Sequence, residues 1–155
     1  SPTAVLIGFS ATAFVGSVES LDSEFVTGVS SSASVGSVTV TTTSDITATY
    51  TVTVAAFSGA NYYYIDGSRA VTLNLSEGST YRFDQADSSN NNHPLRLSAT
   101  SNGTWGGGSE YTTGVTTNGT PGNAGAYTQI EVASGAPTLY YYCTNHSGMG
   151  GQINT

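Results

Sequence analysis

From Asp45 onward, polar and apolar positions alternate along the chain with a period of two, and helical periodicity is absent almost everywhere. Thr47 to Val54 reads Thr-Ala-Thr-Tyr-Thr-Val-Thr-Val, the pattern of a half-buried strand. Asn61 to Ile65 is an aromatic strand closed by Asp66-Gly67, a strong turn signal. Ala70 to Leu75 and Thr80 to Phe83 are expected strands hinged at Glu77-Gly78, and Pro94 to Ser98 resumes extended structure after an Asn/Ser loop at Ser88 to Asn92. Residues Ser101 to Ala126 are rich in loop signals, with one short strand expected at Glu110 to Val115. Tyr127 to Val132 and Thr138 to Cys143 are expected to form a hairpin across Ser134 to Pro137. About eight short strands in ~110 residues predict an all-β, Greek-key β-sandwich.

The first forty residues carry a different pattern. Gly8 to Val18 aligns with Gly28 to Val38 at a period of twenty, with seven of eleven positions identical, including Val-Gly-Ser-Val at a fixed offset. Small residues fill both copies, and Phe9, Phe14 and Phe25 are the only aromatics before Asp45. Such a segment has too little bulky apolar content to close its own core, and it would order by adding strands to a neighbour. The chain therefore divides into an N-terminal β-repeat and assembly segment, 1–44, and a β-sandwich, 45–155.

Composition narrows the function. There is no Lys, and Arg69, Arg82 and Arg96 stand against ten carboxylates, for a net charge of −7. Nucleic-acid binding needs cationic groups to displace counterions, so it is not expected. No apolar stretch reaches the ~18 residues of a spanning helix. Charged residues make up 8% of the chain, against ~25% in ordinary soluble domains. Low charge with abundant Ser, Thr, Gly and Tyr suits a virion-surface or extracellular location. One Cys excludes an internal disulfide. Ser1-Pro2 carries no initiator Met, so a processed or excerpted chain is expected.

Chemistry concentrates near the C-terminus. The only Cys, the only Met and one of two His residues fall within Cys143-Thr144-Asn145-His146-Ser147-Gly148-Met149, and the other His, His93, follows an expected strand. Two imidazoles, a thiolate and a weak thioether are the ligand set of a blue-copper site. Taken singly, a free Cys and a Met are ordinary core residues. Their convergence in a chain so poor in all three favours metal ligation by His93, Cys143, His146 and Met149. Asp84 and Asp87 lack the ligand count of a Ca²⁺ site and are better read as capping the loop before His93. The Tyr62 to Tyr64 and Tyr140 to Tyr142 runs are read as core packing, with Tyr63 or Tyr141 as candidates for exposed contact. No arrangement of catalytic residues is present, and no enzymatic activity is expected.

Two resemblances sharpen this reading. Leu73-x-Leu75-x-x-Gly78-x-Thr80-Tyr81-x-Phe83-x-x-x-Asp87, then His93, then Cys143-x-x-His146-x-x-Met149, resembles the cupredoxin pattern with an amicyanin-type ligand loop. The resemblance covers roughly Thr47 to Thr155. It implies equatorial copper ligands at His93, Cys143 and His146 and a weak axial ligand at Met149. Pro94 departs from the pattern, because cupredoxins commonly place there an Asn whose side chain ties the ligand loops together. The long polar loop from Ser101 to Ala126 is a second departure, expected to cover the pole where a redox partner would dock. Residues 1 to about 40 resemble Gly/Ser/Val repeats in structural proteins of marine tailed bacteriophages. Together these imply a virion or appendage structural component that assembles through residues 1–44 and displays a copper-binding module; a host-surface ligand is a candidate partner that the sequence leaves open. The alternative is a secreted type 1 blue-copper electron-transfer protein.

Overall fold

The computed structural model describes residues 45–155; the repeat and the assembly expectation placed on residues 1–44 lie outside the described residues. The all-β expectation holds: the described residues form ten strands and two short 3-10 turns, arranged as two mixed sheets packed in a sandwich. No helix among them is long and apolar enough to cross a membrane.

The larger sheet starts with β1 (Ile46–Phe57) and β2 (Ala60–Ile65). Ser58 and Gly59, at φ 52° and 84°, make the tight turn between them, whose left-handed residues match the strand twist. Asp66 and Gly67, at φ 47° and 79°, repeat the device before β3 (Ser68–Arg69), as the turn signal there predicted. The Asp66 carboxylate also accepts the Thr51 N–H at 2.8 Å. With β5 (Thr80–Asp84), β7 (Val115–Asn118) and β8 (Tyr127–Glu131), the order across this sheet is β3-β2-β1-β5-β8-β7. The smaller sheet holds β4 (Leu73–Asn74), β6 (Leu95–Ser98), β9 (Leu139–Cys143) and β10 (Gly151–Asn154), ordered β4-β10-β9-β6. Pairs β1·β5 and β4·β10 are parallel.

Alternation delivers the core. Val52, Tyr63 and Phe83 from one sheet meet Leu97, Tyr141 and Ile153 from the other, all at most 1% exposed. Each such side chain contributes roughly 1.5–3 kcal/mol relative to exposure, and together they fix the separation of the sheets. Tyr63 and Tyr141 are therefore core residues and not exposed contacts, at 0% and 1% exposure. Each is the central Tyr of its run, and the period of two turns it inward.

Several local expectations are corrected. Tyr127 to Val132 and Thr138 to Cys143 do not pair as a hairpin: β8 lies in the larger sheet and β9 in the smaller, so the connection crosses the sandwich. Periodicity reports which residues turn inward but not which strand lies alongside. The strand expected at Ala70 to Leu75 shrinks to β4, because Ala70 sits at φ 43° and breaks the extended run. The strand expected at Glu110 to Val115 begins only at Val115, since Gly114 at φ 69° leaves the ladder while its carbonyl still accepts the Glu131 N–H at 2.9 Å. Strand β10 gave little signal in sequence because Ile153 is its only apolar side chain. Two parallel or antiparallel neighbours, Leu73 and Leu139, bury it.

Candidate metal centre

Four residues were singled out as ligands, and the structure brings three of them together. His93, Cys143 and His146 place one ligand atom each within 4.8 Å of one another. Cys143 Sγ lies 3.9 Å from His93 Nδ1 and 3.6 Å from His146 Nδ1. The two imidazoles are 4.5 Å apart between centroids and tilted by 44°. Met149, three residues beyond His146, is 1% exposed and belongs to the same core cluster as Cys143.

His93 is delivered by a short capped turn. The Asp87 carboxylate accepts from Ser89 N at 2.9 Å and from Ser89 Oγ at 2.6 Å, starting the 3-10 turn Ser88–Asn90. Asp84 Oδ1 likewise accepts from Ala86 N at 2.9 Å, so both carboxylates serve the loop before His93. Asn90, fully buried, donates to Val52 O at 2.7 Å, and its own carbonyl accepts the His93 N–H at 2.8 Å. The His93 carbonyl then receives two donors, Tyr63 Oη at 2.8 Å and Gln85 Nε2 at 2.9 Å. Gln85 completes its pairing by accepting the Leu95 N–H at 3.1 Å. A buried carbonyl with both lone pairs engaged is a fixed point.

Cys143 closes strand β9 opposite Leu95, with no exposed surface. The chain then turns through an exposed loop carrying His146, with Gly148 at φ 78°. Three contacts hold that loop. Thr144 N donates to Pro94 O at 3.1 Å. The Asn145 amide donates to Asn92 O at 3.1 Å and to Asn92 Oδ1 at 2.8 Å. Asn102 accepts the Gly148 N–H at 2.8 Å and donates to Ser147 Oγ at 2.9 Å. The tie between ligand loops thus exists although Pro94 cannot supply it through an amide side chain: Asn145 and the Pro94 carbonyl supply it instead.

The long loop beginning at Ser101 also contributes. Its 3-10 turn Gly103–Gly106 seats Gly103 against the Tyr142 ring, where a Cβ would collide with the ring carbons. Trp105, 51% exposed, donates its indole N–H to Cys143 O at 3.0 Å. None of Tyr63, Gln85, Asn90, Asn102, Trp105 or Asn145 was singled out as part of the site from sequence. In a chain this rich in Asn and Tyr, nothing local separates a buried clamp from a solvated loop residue.

Electrostatics favour the ligating form of His93. Burial lowers its pKa from 6.5, and the neighbouring His146 lowers it further, so the imidazole stays neutral with a lone pair to donate. Burial pushes the Tyr63 hydroxyl far above the ordinary phenol range, with the adjacent Cys143 adding to the rise, so Tyr63 remains a hydrogen-bond donor.

The donor set fits a first-row metal. Bonds of ~2.0 Å to imidazole and ~2.3 Å to thiolate span about 4.3 Å end to end, so sulfur-to-nitrogen separations of 3.6 and 3.9 Å let one ion reach both partners. Among the described residues this is the one group of three or more His, Cys, Asp or Glu side chains gathered in this way. No protein-family model matches the chain, and no curated protein matches it.

Proposed function

We propose that residues 45–155 provide a mononuclear copper site that His93, Cys143 and His146 would hold, with Met149 as a weak further donor, and that the module would carry single electrons and not a catalytic reaction. The observation behind this reading is Cys143 Sγ set 3.6 and 3.9 Å from the Nδ1 atoms of two imidazoles. Thiolate with imidazole suits both Cu(I) and Cu(II). A copper ion bound there supplies one-electron exchange between these two states. The protein holds the ligands on strand ends of a rigid sandwich, with His93 and the Cys143 loop clamped by buried hydrogen bonds. That rigidity resists rearrangement between oxidation states. Cys143 and Met149 are shielded from solvent while His146 is exposed, which gives the centre one protein-lined side and one route to the surface.

The test is an absorption spectrum on adding Cu(II). One equivalent should give an intense visible thiolate-to-copper band. Copper uptake without that band would mean adventitious binding and would overturn the reading.

A second reading concerns where the module is displayed. The period-twenty repeat in residues 1–44 and the Lys-free composition support a virion or appendage component that assembles through that segment and carries the module outward. Deleting residues 1–44 should leave a folded monomer from Asp45 onward and abolish assembly. A full chain that stays monomeric at high concentration would refute this display role and leave the electron carrier alone.

A further inference from the structure

One buried residue touches both ligand loops. Tyr63, at the centre of β2 and 0% exposed, donates its backbone N–H to Met149 O at 2.9 Å and its hydroxyl to His93 O at 2.8 Å. It belongs to the larger sheet, whereas Cys143, His146 and Met149 leave the smaller one. The ladder to β3 takes in Tyr64 and Ile65 and ends at Ala70, which at φ 43° donates to Tyr63 O at 2.9 Å while the Tyr63 N–H turns to Met149 O instead. Its side chain points inward across the sandwich, tilted against Tyr141 with ring centroids 6.3 Å apart.

We propose that Tyr63 is the positioning residue of the metal centre, holding the His93 loop and the Met149 loop at one fixed spacing from the opposite sheet. This rests on the metal-centre reading above. Volume alone does not call for a phenol at this place, since Phe83 fills the neighbouring core without a hydroxyl. A buried hydroxyl is costly unless bonded, and here its bond falls on the carbonyl of a ligand. That carbonyl precedes Pro94, whose ring fixes φ. Fixing the His93–Pro94 peptide from one side and Pro94 from the other leaves the imidazole little freedom. Gln85 shares the same acceptor but reaches only the His93 loop; Tyr63 alone of the two also bonds Met149 O.

The test is Tyr63→Phe in the full chain, which keeps volume and the backbone N–H and removes only the hydroxyl. In the metal-free protein, the NMR signals of the His93 ring and the Met149 methyl should broaden while the rest of the sandwich stays sharp. With copper, affinity should fall by about tenfold or more, with a displaced thiolate-to-copper band. A folded variant with sharp signals, an unmoved band and affinity within about twofold of the parent overturns the proposal. If the parent itself gives no such band, the copper reading fails separately, and the metal-free NMR comparison still decides the role of Tyr63. If Tyr63→Phe does not fold, amide exchange in the metal-free parent decides: the Tyr63 N–H, bonded to Met149 O, should be protected as strongly as the amides of β2 that pair with β1, and exchange as fast as that of an exposed loop amide overturns the assignment.

Discussion

The Asn145 side chain donates to both oxygens of Asn92, 3.1 Å to the carbonyl and 2.8 Å to the amide oxygen, and so joins the loop of His93 to the loop of His146. The bridge spans 53 residues of sequence but only one hydrogen-bond length in space. Asn92 accepts it from a left-handed backbone, φ 63°, a conformation that Asn tolerates better than most residues. Both residues are exposed, so this link sits on the rim while Tyr63 holds both loops from beneath and Gln85 holds the His93 loop.

Asn145→Ala removes both bonds. Exposed bonds are individually modest, so the folded module should lose about 1 kcal/mol in a denaturant titration. Metal release to a chelator should accelerate by a larger factor, because the two ligand loops then separate more readily. Unchanged release would show that the buried clamps suffice.

Cys143→Ser should abolish the visible thiolate-to-copper band while leaving the far-ultraviolet spectrum β-rich. Sulfur is the charge-transfer donor, and a hydroxyl cannot replace it. Persistence of the band would place the copper elsewhere.

Gly150 follows Met149, and a Cβ there would collide with the Tyr141 carbonyl and lie 3.1 Å from Tyr142 Cα. Backbone cannot yield as a side chain can. Gly150→Ala should therefore cost about 1–3 kcal/mol of stability and weaken metal binding with it. Equilibrium unfolding of the metal-free variant separates the two effects.

Trp105 is the only Trp in the chain, and its indole is bonded to the carbonyl of Cys143. All tryptophan emission should therefore report on the site, with quenching by Cu(II) that saturates at one equivalent. Quenching that persists undiminished in Cys143→Ser would disconnect Trp105 from the centre.

Asp87 is held below the usual carboxylate value of 3.8, first by the Ser89 hydroxyl and then by the Ser89 N–H. The unfolded chain therefore takes up this proton at a higher pH than the folded chain. The carboxylate's contribution is fully present above the unfolded value of 3.8 and is lost as pH falls through the lower, folded value. Ser89→Ala should move the Asp87 titration upward by NMR and shrink that acid-side dependence. An unmoved titration would show that the backbone N–H alone holds the carboxylate.

Alternation between Thr47 and Val54, and the Asp66-Gly67 turn, were enough to establish an all-β chain, because strand period and turn chemistry are local properties of a few neighbouring residues. The clustering of Cys143, His146 and Met149 was likewise legible, being confined to seven positions. The sequence alone therefore determined the element type and the candidate donors. Partnership between strands was decided only by the tertiary structure. Nothing local distinguishes a β8–β9 hairpin from the crossover that occurs, since both bury Ile130 and Leu139. The site's support was invisible for the same reason. Tyr63, Gln85, Asn102 and Asn145 act through contacts to residues 86, 8, 46 and 53 positions away, and a hydrogen bond depends on where two chain segments meet, which only the packing of the two sheets decides.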